Sequence, residues 1–349
     1  MKLLFDFGHP AHVHLFRNLI KKVVSERGKV LAATRDKDVT VDLCKAFNIP
    51  QVVLSRSYSG NFFAGCWEFL KRTAKLLRLS YKFKPDALLG SSMSIGVVGR
   101  IIKRPSFVFV EDDAHIVPMF AFVSYPTCNY VVTPDCLRHE NYGEKHLMYS
   151  GYHELAYLHP DHFVPDPSVP RSIGLGIDKP YFIIRFVSLK AHHDMFASGL
   201  SLETTQTLVN ILSTHGRVLI TTEGHLRDEF KKYQFPLPPE KLHDVLAFAS
   251  MYVGDSQSVT IEASMLGVPC IRCNTFVGRI TCLEELENKY GLTKGILPDK
   301  ADMLITTVQE WLSNLENFKG QLQIRRKKML EDKINLADWQ WQILCEKLN

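Results

Sequence analysis

The sequence predicts an α/β protein with two doubly wound parallel sheets, and three observations support this prediction. Short apolar runs alternate with helical patterns along almost the whole chain, which is typical of parallel strands covered by helices on both faces. A length of 349 residues favours two domains. Segment 159–174 holds four prolines and interrupts the alternation. We therefore expect a domain on each side of this linker, with the carboxyl ends of both sheets facing an interdomain cleft.

The first half of the chain contains apolar, β-branched and aromatic runs of the kind that form buried strands. We expect strands at 2–7, 29–34, 51–54, 86–90, 106–110 and 129–133. Helical spacing of apolar residues predicts helices between them, at 12–27, 38–47, 61–85 and 94–102. These elements define an N-terminal domain at 1–165.

The alternation restarts after the linker. We expect strands at 181–187, 217–222, 251–255 and 268–273, and helices at 201–214, 242–249 and 258–266. The chain is helical again from about residue 301. These elements predict a C-terminal domain at 166–330, followed by a helix at 331–349 that packs back on the N-terminal domain.

Composition excludes several classes of protein. A net charge of +5 and a pI of about 8.6 do not suggest a nucleic-acid-binding protein. No apolar run is long enough to span a membrane, and Asp6 and His9 break the opening run where a signal peptide would continue. Eight scattered cysteines favour reduced thiols in a cytoplasmic enzyme. Cys270 and Cys273 form a lone CxxC, which we interpret as core cysteines, with a metal or redox pair as the alternative.

The segment "VGDSQSVTIEASMLGVP" (253–269) carries the most chemical information. A buried strand ends at Val253, residues 254–258 are small or polar, and a helix then opens near the hydroxyl residues Ser256 and Ser258. Because the first N–H groups of a helix lack backbone partners and the helix dipole is positive there, such a turn can hold an anion, here a diphosphate. Glu262 follows Ser258 by one turn, where its carboxylate could accept both hydroxyls of a ribose. The alternative is an ordinary capped helix.

The same segment resembles the donor-nucleotide motif of GT-B glycosyltransferases and of the non-hydrolysing UDP-N-acetylglucosamine 2-epimerases. Several further segments resemble, in order and spacing, one family of predicted glycosyltransferases long described as a domain of unknown function. They are "FDFGHPAHVHLFRNLI" (5–20), "ATRDKDVTVDL" (33–43), "FVEDDAHIVP" (109–118), "YFIIRFVSLKAHHD" (181–194) and "LHDVLAFASMYVGDSQSVTIEASMLGVP" (242–269). The resemblance implies a GT-B-like fold of two Rossmann-like domains.

The resemblance also implies roles for particular residues. Ser256, Gln257 and Ser258 would hold the diphosphate, together with Gly254. Glu262 would bind the ribose. His243 would lie near the base, and Arg185 would face the phosphates with a planar, permanently charged side chain. The chain departs from the pattern at Asp255 and Gln257, where relatives often have glycine.

Three histidines directly follow the first strand. His9 is expected in the loop and His12 at the helix start, where the helix dipole would lower the pKa and favour a neutral base. His14 points to another side of the helix, which favours packing. The resemblance implies that one of the first two faces the cleft for acid/base chemistry or substrate contact. Metal binding and a structural role remain as alternatives.

The segment "VEDDAH" is the second candidate for chemistry. Glu111, Asp112, Asp113 and His115 directly follow a strand, so they would lie at the carboxyl edge of the sheet. A carboxylate there could deprotonate an acceptor hydroxyl. The alternatives are a solvated turn in which Asp113 caps the next helix and a divalent-cation site formed by these acids.

Three other segments carry weaker signals. Lys190, His192, His193 and Asp194 belong either to a loop that contacts phosphate or sugar or to a surface loop, and Glu223 or His225 could assist at the same edge. The basic, aromatic segment 61–85 suits an anionic membrane surface. The alternative for 61–85 is a core-packing helix with a solvated basic face.

The combined prediction is a metal-independent glycosyltransferase that uses a nucleotide-diphosphate sugar, expected to be a UDP-sugar. The resemblance implies a role in cell-surface polysaccharide or glycolipid synthesis. The acceptor would be a sugar or a lipid-linked sugar, and the enzyme would be cytoplasmic or peripheral at the inner face of the membrane. A 2-epimerase-like enzyme is the first alternative, and a non-catalytic nucleotide-sugar-binding protein is the second. No cofactor is expected.

Overall fold

A computed structural model describes residues 1–56, 62–176, 179–187, 199–222, 226–235 and 237–348, with no side-chain account of residues 62 and 63. The chain divides into two compact units, Met1–His162 with Lys333–Asn349, and Phe163–Asp332. The boundary between His162 and Phe163 falls within the proline-rich segment.

The first unit contains a seven-stranded sheet whose described strands all pair in parallel. Its strands are β1 (Lys2–Phe7), β2 (Lys29–Asp36), β3 (Gln51–Arg56), β4 (Ala87–Gly90), β5 (Ser106–Phe109), β6 (Tyr130–Pro134) and β7 (His146–Tyr149). Its helices are α1 (Pro10–Ser25), α2 (Thr40–Ala46), α3 (Phe62–Phe83), α4 (Met93–Ile102), α5 (Pro118–Thr127) and α6 (Leu155–Leu158), with α14 (Leu336–Leu348) from the chain end.

The second unit contains a five-stranded parallel sheet. Its strands are β8 (Tyr181–Phe186), β9 (Arg217–Thr222), β10 (Met251–Gly254), β11 (Cys270–Cys273) and β12 (Lys294–Ile296). Its helices are α7 (Ser168–Ser172), α8 (Leu202–Ser213), α9 (Leu242–Ala247), α10 (Gln257–Leu266), α11 (Thr281–Asn288), α12 (Ala301–Ser313) and α13 (Leu315–Asp332). The predicted α/β class with two parallel, doubly wound sheets is confirmed.

Both sheets have a point at which the strand order reverses. The first sheet runs β3-β2-β1-β4-β5-β6-β7 and reverses between β1 and β4. The second runs β12-β11-β10-β8-β9 and reverses between β8 and β10. Connections leave such neighbouring strands in opposite directions, which opens a crevice at their carboxyl ends where ligands of this class of sheet bind.

Two layers of helices cover the first sheet. Helix α4 contacts α3 on one side and α5 on the other, whereas α1 contacts α2, α6 and α14. The core beneath α3–α5 includes Leu4, Leu76, Leu88, Ile95 and Val131. The amide of Gln340 in α14 donates a hydrogen bond to the carbonyl of Leu15 in α1, which ties the chain end to this unit.

Several elements differ from the predicted ones. Helix α1 begins at Pro10, two residues earlier than expected, because proline is favoured in the first helical turn and His9 caps the helix. Strands β7 and β12 were not predicted: β7 is an edge strand with only one fully buried residue, and β12 has only three residues. Helices α5 and α11 were not predicted either. The apolar residues of α5 have no helical period, and it contains Pro126.

Candidate functional site

The turn between β10 and α10 lies at the point where the second sheet reverses its strand order. Ser256 is the N-cap of α10, and its hydroxyl accepts a hydrogen bond from the N–H of Val259. Gln257 and Ser258 form the first turn and are partly exposed. Their backbone N–H groups belong to the helix end that has no intrahelical acceptors, so the turn offers donors to an anion.

Gly254 has a structural role in this turn. A Cβ at this position would lie 2.5 Å from the Tyr252 hydroxyl and 2.7 Å from the Arg185 carbonyl oxygen. Such distances are too short for any side chain. The close approach that requires glycine is therefore that of β8, rather than that of a ligand.

Asp255 is buried and its carboxylate is engaged within the unit. Its Oδ1 accepts a hydrogen bond of 2.7 Å from the N–H of Val187, and its backbone carbonyl accepts one from Asn274. The acidic side chain that departs from the family pattern thus anchors the residues after β8.

Arg185 lies directly beside this turn. It pairs with Gly254 across β8 and β10, and it occupies the penultimate position of β8. Its Nη1 donates a hydrogen bond of 3.3 Å to the Thr221 hydroxyl at the end of β9. The predicted Arg185 and the Ser256–Ser258 turn are therefore neighbours at one sheet edge, and Arg185 is a partly exposed residue.

Glu262 and His243 contact each other. Glu262 Oε1 lies 2.9 Å from His243 Nε2, and both residues are buried, at 5% and 1% exposure. The ring of Phe163 meets the His243 ring edge-on. The sequence predicted two separate ligand contacts, whereas the structure shows a histidine that orients the carboxylate by binding one of its oxygens.

The strand-order reversal of the first sheet is organised by a buried ion pair that the sequence analysis missed. Asp6, at 1% exposure, receives hydrogen bonds from the Arg72 guanidinium of α3 and from the Ser92 hydroxyl after β4. Arg72 also donates to the carbonyl of Thr34 and to the hydroxyl of Ser55. No local signal in the sequence joins these residues, because they come from distant elements.

His9 and His12 are held at the start of α1. The Nδ1 atom of His9 accepts the N–H of Ala11, and the Nδ1 atom of His12 accepts the N–H of Gly8 at 3.2 Å. Burial lowers the pKa of His12 well below its usual value, and nearby His9, His153, Lys37 and Arg72 lower it further. This direction agrees with the prediction and favours the neutral imidazole, although burial is the main cause in place of the expected helix dipole.

This hydrogen bond decides the tautomer of His12. A neutral imidazole has one N–H, and Nδ1 is the acceptor of the Gly8 N–H, so the proton resides on Nε2. Nε2 is then a hydrogen-bond donor. The geometry favours a donor role for His12 over the expected role of general base.

His14 is buried against Phe47 and Tyr157, in agreement with the predicted packing role.

An acid/base cluster follows β5. Asp112 keeps part of its surface exposed. Desolvation by the surrounding protein nevertheless raises the pKa of its carboxyl to about 6. The charge of Glu111 also raises this pKa, whereas His153 lowers it. Glu111 Oε2 lies 3.3 Å from His153 Nδ1. The His153 ring stacks on Tyr149 and lies near Phe109. A carboxyl with a pKa close to the working pH is suited to proton transfer.

His153 was missed by the sequence analysis. It lies in "GYHEL", about 40 residues after Glu111, and belongs to no recognisable motif. Its position after the unpredicted strand β7 was the missing signal, since a histidine at a strand carboxyl end faces the same edge as the other candidates.

We expect Glu111→Gln and His153→Gln to shift the pKa of Asp112 in opposite directions. Removing the Glu111 charge lowers the pKa, because like charges no longer repel. Removing His153 raises the pKa, because the interaction with His153 that lowers it is lost. Carbon-13 NMR titration of labelled aspartate carboxyls measures both shifts, with Asp112→Asn identifying the resonance. Shifts of the same sign would contradict this arrangement.

The remaining two residues of "VEDDAH" are placed differently. Asp113 is buried, and its Oδ1 lies 3.2 Å from His139 Nε2. His115 is exposed and, within the described ranges, forms no hydrogen bond or ring contact. Asp113, His139 and Glu140 bring three metal-type ligand atoms together. Both carboxylate oxygens of Glu140 already accept hydrogen bonds, from the Ala114 N–H and the Tyr142 hydroxyl, so this cluster supports no metal assignment.

Two weaker predictions have different outcomes. Cys270 and Cys273 are buried, and burial raises the pKa of their thiols to about 11 and about 12, which agrees with core cysteines. Lys190, His192, His193, Asp194, Glu223 and His225 lie outside the described residues.

Comparison with known proteins identifies related folds. The chain matches UDP-GlcNAc 2-epimerase from Neisseria meningitidis bound to UDP-GlcNAc, with a TM-score of 0.64, 12% identity and coverage of 95% of this chain and 99% of the other. It matches S. aureus MnaA in a co-structure with UDP, with a TM-score of 0.67, 13% identity and coverage of 92% and 90%. It also matches SsfS6, a glycosyltransferase from Streptomyces sp. SF2575, with a TM-score of 0.58, 13% identity and coverage of 97% and 99%.

Sequence comparison gives no further assignment. No protein-family model matches the chain, and no curated protein matches it. The narrower resemblance to one family of predicted glycosyltransferases therefore stays a prediction. The structural likeness, at identities of 12–14%, defines the fold: it is the two-domain GT-B architecture that UDP-GlcNAc 2-epimerases share with glycosyltransferases.

Proposed function

We propose that the protein is a glycosyltransferase that uses a nucleotide-diphosphate sugar, with a UDP-sugar as the donor. One observation carries the proposal: the strand-order reversal of the second sheet brings Arg185 beside the first turn of α10, with Glu262 one helical turn further on. A permanent cation and unpaired helix N–H groups suit a diphosphate, and a buried carboxylate suits the adjoining ribose.

In this proposal the second unit binds the donor. The N–H groups of Gln257 and Ser258, with Arg185, stabilise the charge that develops on the diphosphate as it leaves. Helix dipole and guanidinium supply the positive charge, so we propose that the reaction needs no metal ion and no cofactor. His243 orients Glu262 toward the ribose hydroxyls.

The first unit supplies the proton acceptor. The hydroxyl of the acceptor gives its proton to Asp112, its oxygen bonds to the anomeric carbon of the sugar, and the bond from that carbon to the diphosphate breaks. A base with a pKa of about 6 is ionised at neutral pH and still basic enough to assist. His12 Nε2–H holds a substrate oxygen, and His9, the N-cap of α1, contributes to the same surface. His115, which is exposed, is the least supported of the proposed catalytic residues.

Glu262→Gln is expected to weaken UDP binding about tenfold, because the charged acceptor of the ribose hydroxyls is lost. The same substitution leaves the affinity for 2′,3′-dideoxy-UDP unchanged, since that ligand lacks the hydroxyls. Glutamine keeps an oxygen that can bind His243, so the fold is retained. Calorimetric titration of both ligands into both proteins measures the effect. Equal losses for the two ligands would assign Glu262 a structural role only.

A 2-epimerase is the second candidate, and the cluster of Asp112, Glu111 and His153 favours it, since removal and return of a proton require more than one titratable group. Incubation with UDP-N-acetylglucosamine alone separates the candidates. An epimerase converts it to a C2 epimer, whereas a transferase needs an acceptor. Binding with no turnover under either condition would indicate a nucleotide-sugar-binding protein.

The proposal includes an acceptor and a location. A sugar or lipid-linked sugar acceptor, used in cell-surface polysaccharide or glycolipid synthesis, is the partner we propose, and the enzyme would act in the cytoplasm at the inner face of the membrane through segment 61–85. Among the helices in the described ranges, none is both long and apolar enough to cross a bilayer.

A further inference from the structure

The exposed aromatic residues of the described chain are concentrated on one layer of helices. The exposed tryptophan, tyrosine and phenylalanine side chains among the described residues are Trp67 (60% exposed) and Tyr81 (59%) on α3 and Phe122 (80%) on α5. Leu70 on α3 and Met119 on α5 are also exposed. Because α4 contacts both α3 and α5, these residues lie on one layer of adjacent helices, whose outer side we name the α3–α5 face.

The exposed stripe of α3 alternates apolar and cationic side chains. Positions separated by three or four residues share one side of a helix, and the exposed residues follow this spacing: Trp67, Leu70, Lys71, Ala74, Lys75, Arg78, Tyr81 and Lys82. The Lys71 ammonium lies 5.1 Å from the centre of the Trp67 ring, so charge and aromatic surface are presented together.

The charge of this region is strongly uneven. Residues 62–104 contain nine Lys and Arg against two acidic residues, a net charge of +7, whereas the whole chain carries +5, so the rest of the chain sums to −2. Both acidic residues have partners outside the exposed stripe of α3. Asp86 accepts a hydrogen bond from the backbone N–H of Lys2, and the half-buried Glu68 interacts electrostatically with Arg35. The exposed cations that form no ion pair with a described acid are Lys71, Lys75, Arg78, Lys82, Lys84, Arg100, Lys103 and Arg104.

A basic surface with exposed tryptophan, tyrosine and phenylalanine matches an anionic bilayer. Cations are attracted by acidic headgroups, and aromatic rings insert at the level of the headgroups. A core-packing helix with a solvated face explains the cations of α3 but not Phe122, which belongs to a different helix and is the most exposed aromatic of the described chain.

We propose that the α3–α5 face docks on an anionic lipid bilayer. The α3–α5 face extends the membrane contact predicted for segment 61–85 to α4 and α5. The sequence did not suggest a membrane role for these two helices. Parallel strands place the first turns of α3 and α5 at the carboxyl edge of the sheet, which also carries Asp112, so Trp67, Leu70, Met119 and Phe122 lie toward that edge. Delivery of a lipid-linked acceptor along this face rests on the proposed transferase function, whereas bilayer binding does not.

Co-sedimentation of the intact protein with vesicles tests this proposal without nucleotide or turnover. We expect binding to vesicles of phosphatidylglycerol mixed with phosphatidylcholine, little binding to phosphatidylcholine alone, and loss of binding at high salt. Arg78→Glu with Lys82→Glu should reduce binding at least about 25-fold, since each cation contributes about fivefold. Phe122→Ser with Trp67→Ser should reduce it as well.

Matched controls come from α13 of the second unit. Lys327→Glu with Lys328→Glu makes the same change of charge, and Ile324→Ser removes a side chain of similar exposure, 72%. These variants should bind vesicles as the unchanged protein does. Absence of binding to anionic vesicles, or equal losses in the α13 and α3–α5 variants, would overturn the proposal. Failure of catalysis or of UDP binding would leave it standing, because vesicle binding is measured without nucleotide or turnover.

Discussion

Asp112→Asn is expected to lower turnover about 10²–10⁴-fold, because asparagine cannot accept the proton of the acceptor hydroxyl. Nucleotide affinity should stay within about twofold, since Asp112 belongs to the first unit and the proposed nucleotide site to the second. Steady-state kinetics with saturating donor measures the loss. The exposed carboxylate Glu144 provides a control, as Glu144→Gln should retain full activity.

The pH profile gives the same assignment an independent check. The base acts in its ionised form, and the pKa of Asp112 is about 6. The value of kcat/KM should therefore fall tenfold per pH unit below about pH 6 and be level above it. A profile without this limb, or an Asp112→Asn variant that keeps it, would contradict the role of Asp112.

The second large effect on turnover is expected for Arg185→Ala. We expect turnover to fall about 10²–10³-fold, because one donor to the charge on the leaving diphosphate is removed. UDP affinity should fall as well, since charge-assisted hydrogen bonds are among the stronger polar contacts. Arg185→Lys should recover part of the loss, because the charge remains and the planar fork is lost.

A control arginine is available on the neighbouring strand. Arg217 begins β9, at the opposite end from the proposed site, and donates to the carbonyl of Gly174. Arg217→Ala should leave turnover and UDP affinity unchanged. Equal effects of Arg185→Ala and Arg217→Ala would indicate a general loss of structure instead of a lost phosphate contact.

Local patterns in the sequence were sufficient to predict most of the helices and strands of the fold. Strand periodicity and the proline-rich segment predicted both sheets, because buried parallel strands are continuous apolar runs. Strand β12, "KGI", is too short to produce such a run, and helix α5, "PMFAFVSYPT", is apolar on most sides, so no period marks it. These elements form because tertiary contacts support them.

The candidate site was predictable only where its residues are local. The β10–α10 turn and the adjacent Glu262 are contiguous in sequence, so their spacing was informative. The Asp6–Arg72 pair, the Glu111–His153 contact and the His243–Glu262 contact join residues that are 66, 42 and 19 positions apart. Pairings of this kind depend on how the chain returns to the same sheet edge. The tautomer of His12 likewise depends on a backbone hydrogen bond that no side-chain pattern reveals.

The central claim is that the second unit binds a nucleoside diphosphate at the β10–α10 turn. Calorimetric titration of UDP, GDP and CMP into the intact protein, with and without magnesium, tests it most directly. The account predicts that UDP binds at one site per chain, without magnesium, and that Arg185→Ala weakens this binding. If none of the three bound, Ser256–Ser258 would be an ordinary helix cap and the transferase proposal would be wrong.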